Sequence, residues 1–257
     1  MKRILSFLFT ILILLSTFTS CKEHDVEYDK DKITIVTTIF PYYDFAREIA
    51  GDKANIVLLI SPGTESHDYE PSPKDIVKIN NADIFIYNGG KSDDWVKTVL
   101  SSLDNSVRAL SMFDYVTPLC AESGHDHDHS HGENEHHHGE FDEHIWTSPA
   151  NAITLSQVIY QELIKVDQEN STYYQDNFNF YSKKLKELDN NFIELTHSNE
   201  DNHEHHATIV IADRFPMRYF TERYHIEYKS AFPGCSSQTQ PSIKTVTGII
   251  PIDWLYT

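Results

Sequence analysis

Ile33-Thr34-Ile35-Val36-Thr37-Thr38-Ile39-Phe40-Pro41 is the stretch that decides how this chain folds. The β-branched run Ile33–Thr38 reads as a buried strand. Pro41 then opens a helical stretch to about Ala50, with Gly51 as its stop, because proline suits a first helical turn and glycine suits an end. Asn55–Ile60 gives a second strand. Further along, Ser72-Pro73-Lys74-Asp75 carries a capping serine, a proline in the first turn and an early carboxylate, which predicts a helix to about Asn81. Asp83–Tyr87 is a third strand and Asp93–Leu103 another amphipathic helix. Strand alternating with helix in this way predicts an α/β lobe with a mainly parallel sheet.

The pattern breaks at residues 119–143, which hold seven histidines (His125, His127, His129, His131, His136, His137, His138), eight acidic residues and no lysine or arginine. Such a segment has nothing with which to fill a core, so it is expected as a surface loop. Pro149 then opens a long helical region with Ile153, Val158, Ile159, Leu163 and Ile164 at helical spacing. A second helical run from about Tyr173 to Leu195 carries Phe178, Tyr181, Leu185, Leu188 and Phe192. After the polar stretch His197–His206, Thr208–Ile211 reads as a strand, Pro216–Tyr224 as a helix and Ile226–Tyr228 as a further strand. That is the start of a second α/β lobe.

At the other end, Lys2 and Arg3 precede an apolar run from Ile4 to Leu15 and a small polar stretch ending at Cys21. The run is too short to span a bilayer and reads as an export signal. Thr17-Phe18-Thr19-Ser20-Cys21 resembles a bacterial lipobox, with Phe18 where leucine is more usual. Cys21 is therefore the expected lipidation site and the membrane tether of an exported protein. The expected organisation is a signal peptide at 1–20, a charged tether at 21–31, a first lobe at 32–145 that includes the histidine-rich loop, a linking helical region at 146–196 and a partial second lobe at 197–257.

Composition narrows the function. A hydrophobic fraction of 40% with 12% aromatics belongs to a folded protein. A formal charge of −18 argues against nucleic acid, which demands a basic face. Fifteen histidines among so many carboxylates form a donor mixture that borderline divalent cations bind well. Cys120 and Cys235 are far apart in sequence, and their pairing stays open.

Three residues fall where loops leave the carboxyl ends of strands, the place where open α/β sheets bind ligands. His67 follows the second strand, His144 lies in the turn before the long helix, and Asp213 follows Thr208–Ile211. By residue type alone, a lone loop histidine such as His67 or His144 is usually a solvated surface residue, and Asp213 could simply cap the helix that follows it.

The surrounding words say more. His67-Asp68-Tyr69-Glu70-Pro71 resembles the H-x-Y-E-P segment of solute-binding proteins from zinc and manganese ABC importers. Asp142-Glu143-His144-Ile145-Trp146-Thr147-Ser148-Pro149 resembles their D-P-H-x-W-x-S-P segment, with Glu143 in place of proline. The acidic, histidine-rich loop between the two is a feature of zinc-type members. The resemblance runs from about Lys32 to Val246.

It implies two Rossmann-like lobes joined by a long helix, with one metal ion in the cleft. It implies that His67 and His144 are ligands of Zn2+, or alternatively Mn2+. It also implies an exported, lipid-anchored monomer that delivers the ion to an ABC permease, with binding rather than catalysis as its work. Many members place a histidine after the first strand of the second lobe. Here Ala212-Asp213-Arg214-Phe215-Pro216 has none, and either Asp213 replaces it or Arg214 occupies its place. The family pattern continues beyond Ser242 with further strands and helices. This chain reads Thr247-Gly248-Ile249-Ile250-Pro251 and stops at Thr257, so an incomplete second lobe from a shortened or frame-shifted reading frame is the expectation.

Two other classes compete. A secreted zinc hydrolase would need an open coordination position and a general base, and no H-E-x-x-H is present. A metal-dependent surface adhesin or zinc buffer without a transporter is the alternative within the same fold.

Overall fold

The computed structural model describes residues 28–103, 107–120, 141–197 and 208–233. Its first unit is a sheet of four parallel strands in the order β2-β1-β3-β4: β1 Ile33–Thr37, β2 Ala54–Leu58, β3 Ile84–Tyr87 and β4 Arg108–Ser111. The helices between them are α1 Phe40–Ala50, α2 Pro73–Asn80 and α3 Asp94–Ser102. Next come α4, Pro149–Val166, and α5, the 27-residue helix Ser171–His197. A second unit pairs β5 (Thr208–Phe215) with β6 (Glu227–Pro233) in parallel, with the short α6 (Arg218–Arg223) as the crossover.

Alternation along the strands sorts side chains into two cores. Ile35, Ile84 and Ile86 face one side, where Tyr42, Ala46 and Ile49 of α1 and Leu155, Ile159 and Leu163 of α4 cover them. Val36, Val57 and Phe85 face the other side, against Ile79 of α2 and Val96 and Val99 of α3. A parallel sheet must be covered on both faces, and this one is. Leu155, Ile159 and Leu163 lie on successive turns of α4 and are 0–1% exposed. Burying each contributes about 1.5–3 kcal/mol before ordering costs.

Local chemistry starts and stops the helices as expected. The Ser72 side chain accepts from the Asp75 N–H while the Asp75 carboxylate accepts from the Ser72 N–H, a reciprocal cap on α2. Gly51 closes α1 at φ +53°, where Tyr173 of α5 leaves no room for a Cβ.

The second unit hangs on α5. Asp189 accepts from Arg223 Nε (3.1 Å), Arg223 Nη2 (2.7 Å) and the Tyr224 hydroxyl (2.8 Å). Beside this anchor Phe192 meets the Phe220 ring edge-on at 4.9 Å.

Three elements differ from the sequence reading, the first being the last strand, read as Ile226–Tyr228 and found as Glu227–Pro233. Arg108–Ser111 forms β4, which was not expected; only Leu110 in it is buried, so no run of alternation marks it. The strand read as Thr208–Ile211 continues to Phe215. Its register slips between Ile211 and Arg214, and it resumes because Phe215, buried, stacks on Tyr228 at 3.9 Å.

The leader and Cys21, the seven histidines of 125–138, the stretch 198–207 and the segment from Gly234 onward lie outside the described residues, as does Cys235. Among the described residues no helix is long and apolar enough to cross a membrane.

Candidate metal centre

The strand order makes β1 and β3 neighbours whose connections leave in opposite directions, and the crevice above such a pair is where open sheets bind ligands. A pocket lies there, lined by Ile39 after β1, His67 after β2, Asn88 and Ser92 after β3, and Glu143, His144 and Trp146 before α4.

The loop after β2 and the turn into α4 bring His67 and His144 together. Their ring centres are 5.9 Å apart at an interplanar angle of 68°. An imidazole nitrogen lies roughly 1.1 Å from its ring centre and binds zinc at about 2 Å, so two rings sharing an ion have centres no more than about 6.3 Å apart. That limit holds for a linear arrangement and falls to about 5.1 Å at a tetrahedral angle, so the observed pair is within reach of one ion once the rings close by somewhat under an ångström.

Each Nδ1 is already engaged. His144 Nδ1 is 2.9 Å from Asp142 Oδ1, which also accepts from the His144 N–H at 2.8 Å. His67 Nδ1 is 2.6 Å from Ser92 Oγ. Each ring therefore turns its Nε2 to other partners, as metal-ligating histidines do when a carboxylate or hydroxyl holds the opposite nitrogen.

The remainder of the pocket is a scaffold for that pair. Glu143, 5% exposed, accepts from the N–H groups of Lys91 (2.5 Å) and Ser92 (3.1 Å) and from the Ser92 hydroxyl. Asn88 donates to the Glu143 carbonyl (2.9 Å) and accepts from the Tyr42 hydroxyl. Burial pushes the neighbouring Asp93 carboxyl up to about 6; the Gly89 and Asn88 N–H groups pull against that shift, and the charge of Glu143 adds to it. Trp146 meets His144 edge-on at 5.5 Å and walls one side. From the second unit, Tyr219 donates to the Asp142 carbonyl (2.8 Å) and accepts from the Leu119 N–H (3.1 Å), tying α6 to the histidine turn.

Asp213 sits elsewhere. It lies inside β5 and not beyond its end, it is exposed, and its carboxylate accepts from the Arg214 N–H at 2.7 Å. It does not line the pocket. Arg214 reaches Glu65, on the His67 loop, at 3.5 Å. Both partners are largely solvated, so this pair contributes little. Among the described residues no three His, Cys, Asp or Glu groups form a ready metal-holding cluster, so the imidazoles stand as a pair.

Sequence reasoning passed over Ser92 and Asn88, and took Glu143 only as a departure from the expected proline. A carboxylate beside a candidate ligand was the available signal for Glu143. Ser92 offered none beyond its position after Gly89-Gly90.

A covered parallel sheet, long paired helices, a second parallel unit and a polar pocket at the strand ends define a two-lobed α/β protein of the solute-binding type. More narrowly, the chain belongs to the family described as ZnuA, zinc-uptake complex component A, periplasmic, whose pattern matches residues 35–251. It is 40% identical over 168 residues to the zinc-binding lipoprotein AdcA of Streptococcus pneumoniae (strain R6), covering 63% of this chain and 32% of that one. It is 39% identical over 159 residues to the high-affinity zinc uptake system protein ZnuA of Bacillus subtilis (strain 168), covering 62% of this chain and 50% of that one. The chain thus matches between a third and a half of the length of these relatives. The solved Zn(II)-bound ZnuA-like domain of S. pneumoniae AdcA superposes with a TM-score of 0.65 at 30% identity, over 84% of this chain and 73% of that one.

Proposed function

We propose that this protein captures Zn2+ outside the cytoplasm and hands it to the permease of an ABC importer, with His67 and His144 as donors. The observation that carries the reading is the imidazole pair, 5.9 Å apart with each Nδ1 engaged by an oxygen. Imidazole suits zinc better than manganese, which favours carboxylate, carbonyl and water. The names of the relatives point the same way.

Capture is binding and not turnover. In a serine hydrolase the imidazole stands between hydroxyl and carboxylate. Here the Ser92 hydroxyl stands between His67 and Glu143, so its proton is committed to the carboxylate. Ligating nitrogens must be unprotonated, so affinity falls on acidification. In this reading Cys21 carries the lipid that holds a monomer at the membrane. The histidines of 125–138 act as a weak multivalent collector that raises local zinc near the pocket. Asp213, which lies outside the pocket, is the proposed further donor, an oxygen that β5 would bring to the ion by closing toward the His67 loop.

Metal analysis and zinc titration of the purified protein test the assignment. One tight zinc per chain, lost in both His67→Ala and His144→Ala, is the expected result, and unchanged tight binding in either variant removes that residue from the site. Asp213→Ala decides the donor from β5: a weakened site keeps it, an unaltered one dismisses it. Deleting 121–140 should leave tight binding intact while uptake under zinc scarcity drops; loss of the tight site would refute the collector role.

A further inference from the structure

Glu143 occupies the position where the resembled motif carries proline, and it is built into the pocket with no slack. Its Oε1 takes the N–H groups of Lys91 and Ser92, and its Oε2 takes the Ser92 hydroxyl. Oε2 also lies 3.6 Å from His67 Nδ1, so the carboxylate stands behind the ring without replacing Ser92 as its partner. The turn that presents these donors depends on Gly90, at φ +81°, whose missing Cβ would otherwise lie 2.7 Å from Glu143 Oε1.

Hydrogen-bond bookkeeping then fixes the direction of every proton. An ionised carboxylate only accepts, so the Ser92 hydroxyl proton points to Glu143. A hydroxyl has one proton, so Ser92 Oγ can meet His67 Nδ1 only as an acceptor. His67 Nδ1 must therefore carry the ring proton, and its lone pair is on Nε2. Free imidazole has no such restriction.

The geometry points to Glu143 and Ser92 as a positioning relay that locks His67 in its Nδ1–H tautomer and so presents Nε2 to the ion. Neither residue touches the metal. The relay rests on the zinc reading for its purpose but not for its existence, since the tautomer is a property of the metal-free ring. It makes the two imidazoles equivalent in kind: His144 is held by a carboxylate directly, and His67 by a carboxylate acting through a hydroxyl. Partners of this kind typically contribute 10–100-fold in metal affinity.

The test uses the full chain, metal-free, labelled with 15N at histidine and held at about pH 8, where imidazole is ordinarily neutral. Long-range proton–nitrogen correlations read the tautomer, and signals missing from His67→Gln assign the ring. Wild-type His67 should be the Nδ1–H form. Ser92→Ala should release the ring to the Nε2–H form and weaken zinc binding about 10–100-fold, and Ser92→Thr should restore both.

Glu143→Gln is the sharper variant. Its carbonyl can still take the Lys91 and Ser92 N–H groups, but its amide donates to Ser92 Oγ. The hydroxyl proton is then free to point at His67 Nδ1, and the tautomer should invert. A wild-type ring already in the Nε2–H form overturns the relay, and so does a tautomer unmoved by both Ser92→Ala and Glu143→Gln. A wild-type chain that shows the Nδ1–H ring yet takes no zinc leaves the relay standing and refutes the zinc reading alone.

Discussion

Gly90 is the residue on which the pocket turns. Its φ of +81° lies in the left-handed region, and a Cβ there would sit 2.7 Å from Glu143 Oε1 and 2.9 Å from its Cδ. Gly90→Ala therefore meets two penalties, backbone strain of about 1–3 kcal/mol and displacement of the Glu143 carboxylate. The expected outcome is a lower melting temperature together with weakened zinc binding. Gly63→Ala, in the loop after β2, is the matched control: it also has a positive φ, of +84°, but nothing lies within 4 Å of its Cβ position. It should share the strain and leave affinity unchanged. Equal affinity in the two variants would show that the Gly90 turn does not support the site.

At the scale of elements, the Asp189 carboxylate joins α5 to α6 and through it to the Tyr219 contact at the histidine turn. The hydrogen bonds from Arg223 hold the Asp189 carboxyl below its ordinary value of 3.8, and the Tyr224 hydroxyl adds to this. A carboxyl whose folded value is depressed binds fewer protons when folded than when unfolded. Its stabilisation is therefore present above about pH 4 and is lost as the pH falls through the folded value. Asp189→Asn should lower the melting temperature at neutral pH, and the gap to wild type should close in strong acid. A gap that is constant with pH would mean that the charge of Asp189 contributes nothing. On α4, Leu155→Ala should cost about 2–5 kcal/mol in denaturant unfolding, because the residue is fully buried against the sheet.

What the sequence revealed follows the same division between local and distant causes. The start of α2 was legible because Ser72 and Asp75 complete each other within one turn. β1 and β3 were legible as strands because they are strongly β-branched or apolar runs. β4 was not, since Arg108–Ser111 becomes a strand only by pairing with β3. The end of β5 was missed because Phe215 gains its place from stacking on Tyr228. His67 and His144 could be named from their motifs, whereas Ser92 acquires its role from a carboxylate 51 residues away.

For the whole molecule, an ion held by His67 and His144 joins the loop after β2 to the turn into α4, and so pins two parts of the chain that the fold alone brings together. A ligand that binds only the folded state stabilises it by about 2.7 kcal/mol when present at 100 times its Kd. In a chain of this size that corresponds to a rise of roughly 5–10 °C in melting temperature. The chain is strongly acidic, with a formal charge of −18, so any divalent cation will collect near it without selectivity. Magnesium at the same concentration is the control, because it prefers oxygen ligands and keeps its water. Zinc should raise the melting temperature and magnesium should not; His67→Ala should abolish the zinc effect. Asp189→Asn should start from a lower temperature and still show a zinc shift, since Asp189 does not line the pocket and reaches the histidine turn only through α6 and Tyr219. A zinc shift that survives His67→Ala would place the stabilising ion elsewhere, on the acidic surface or in the histidine-rich stretch, and would break the link between the imidazole pair and metal capture.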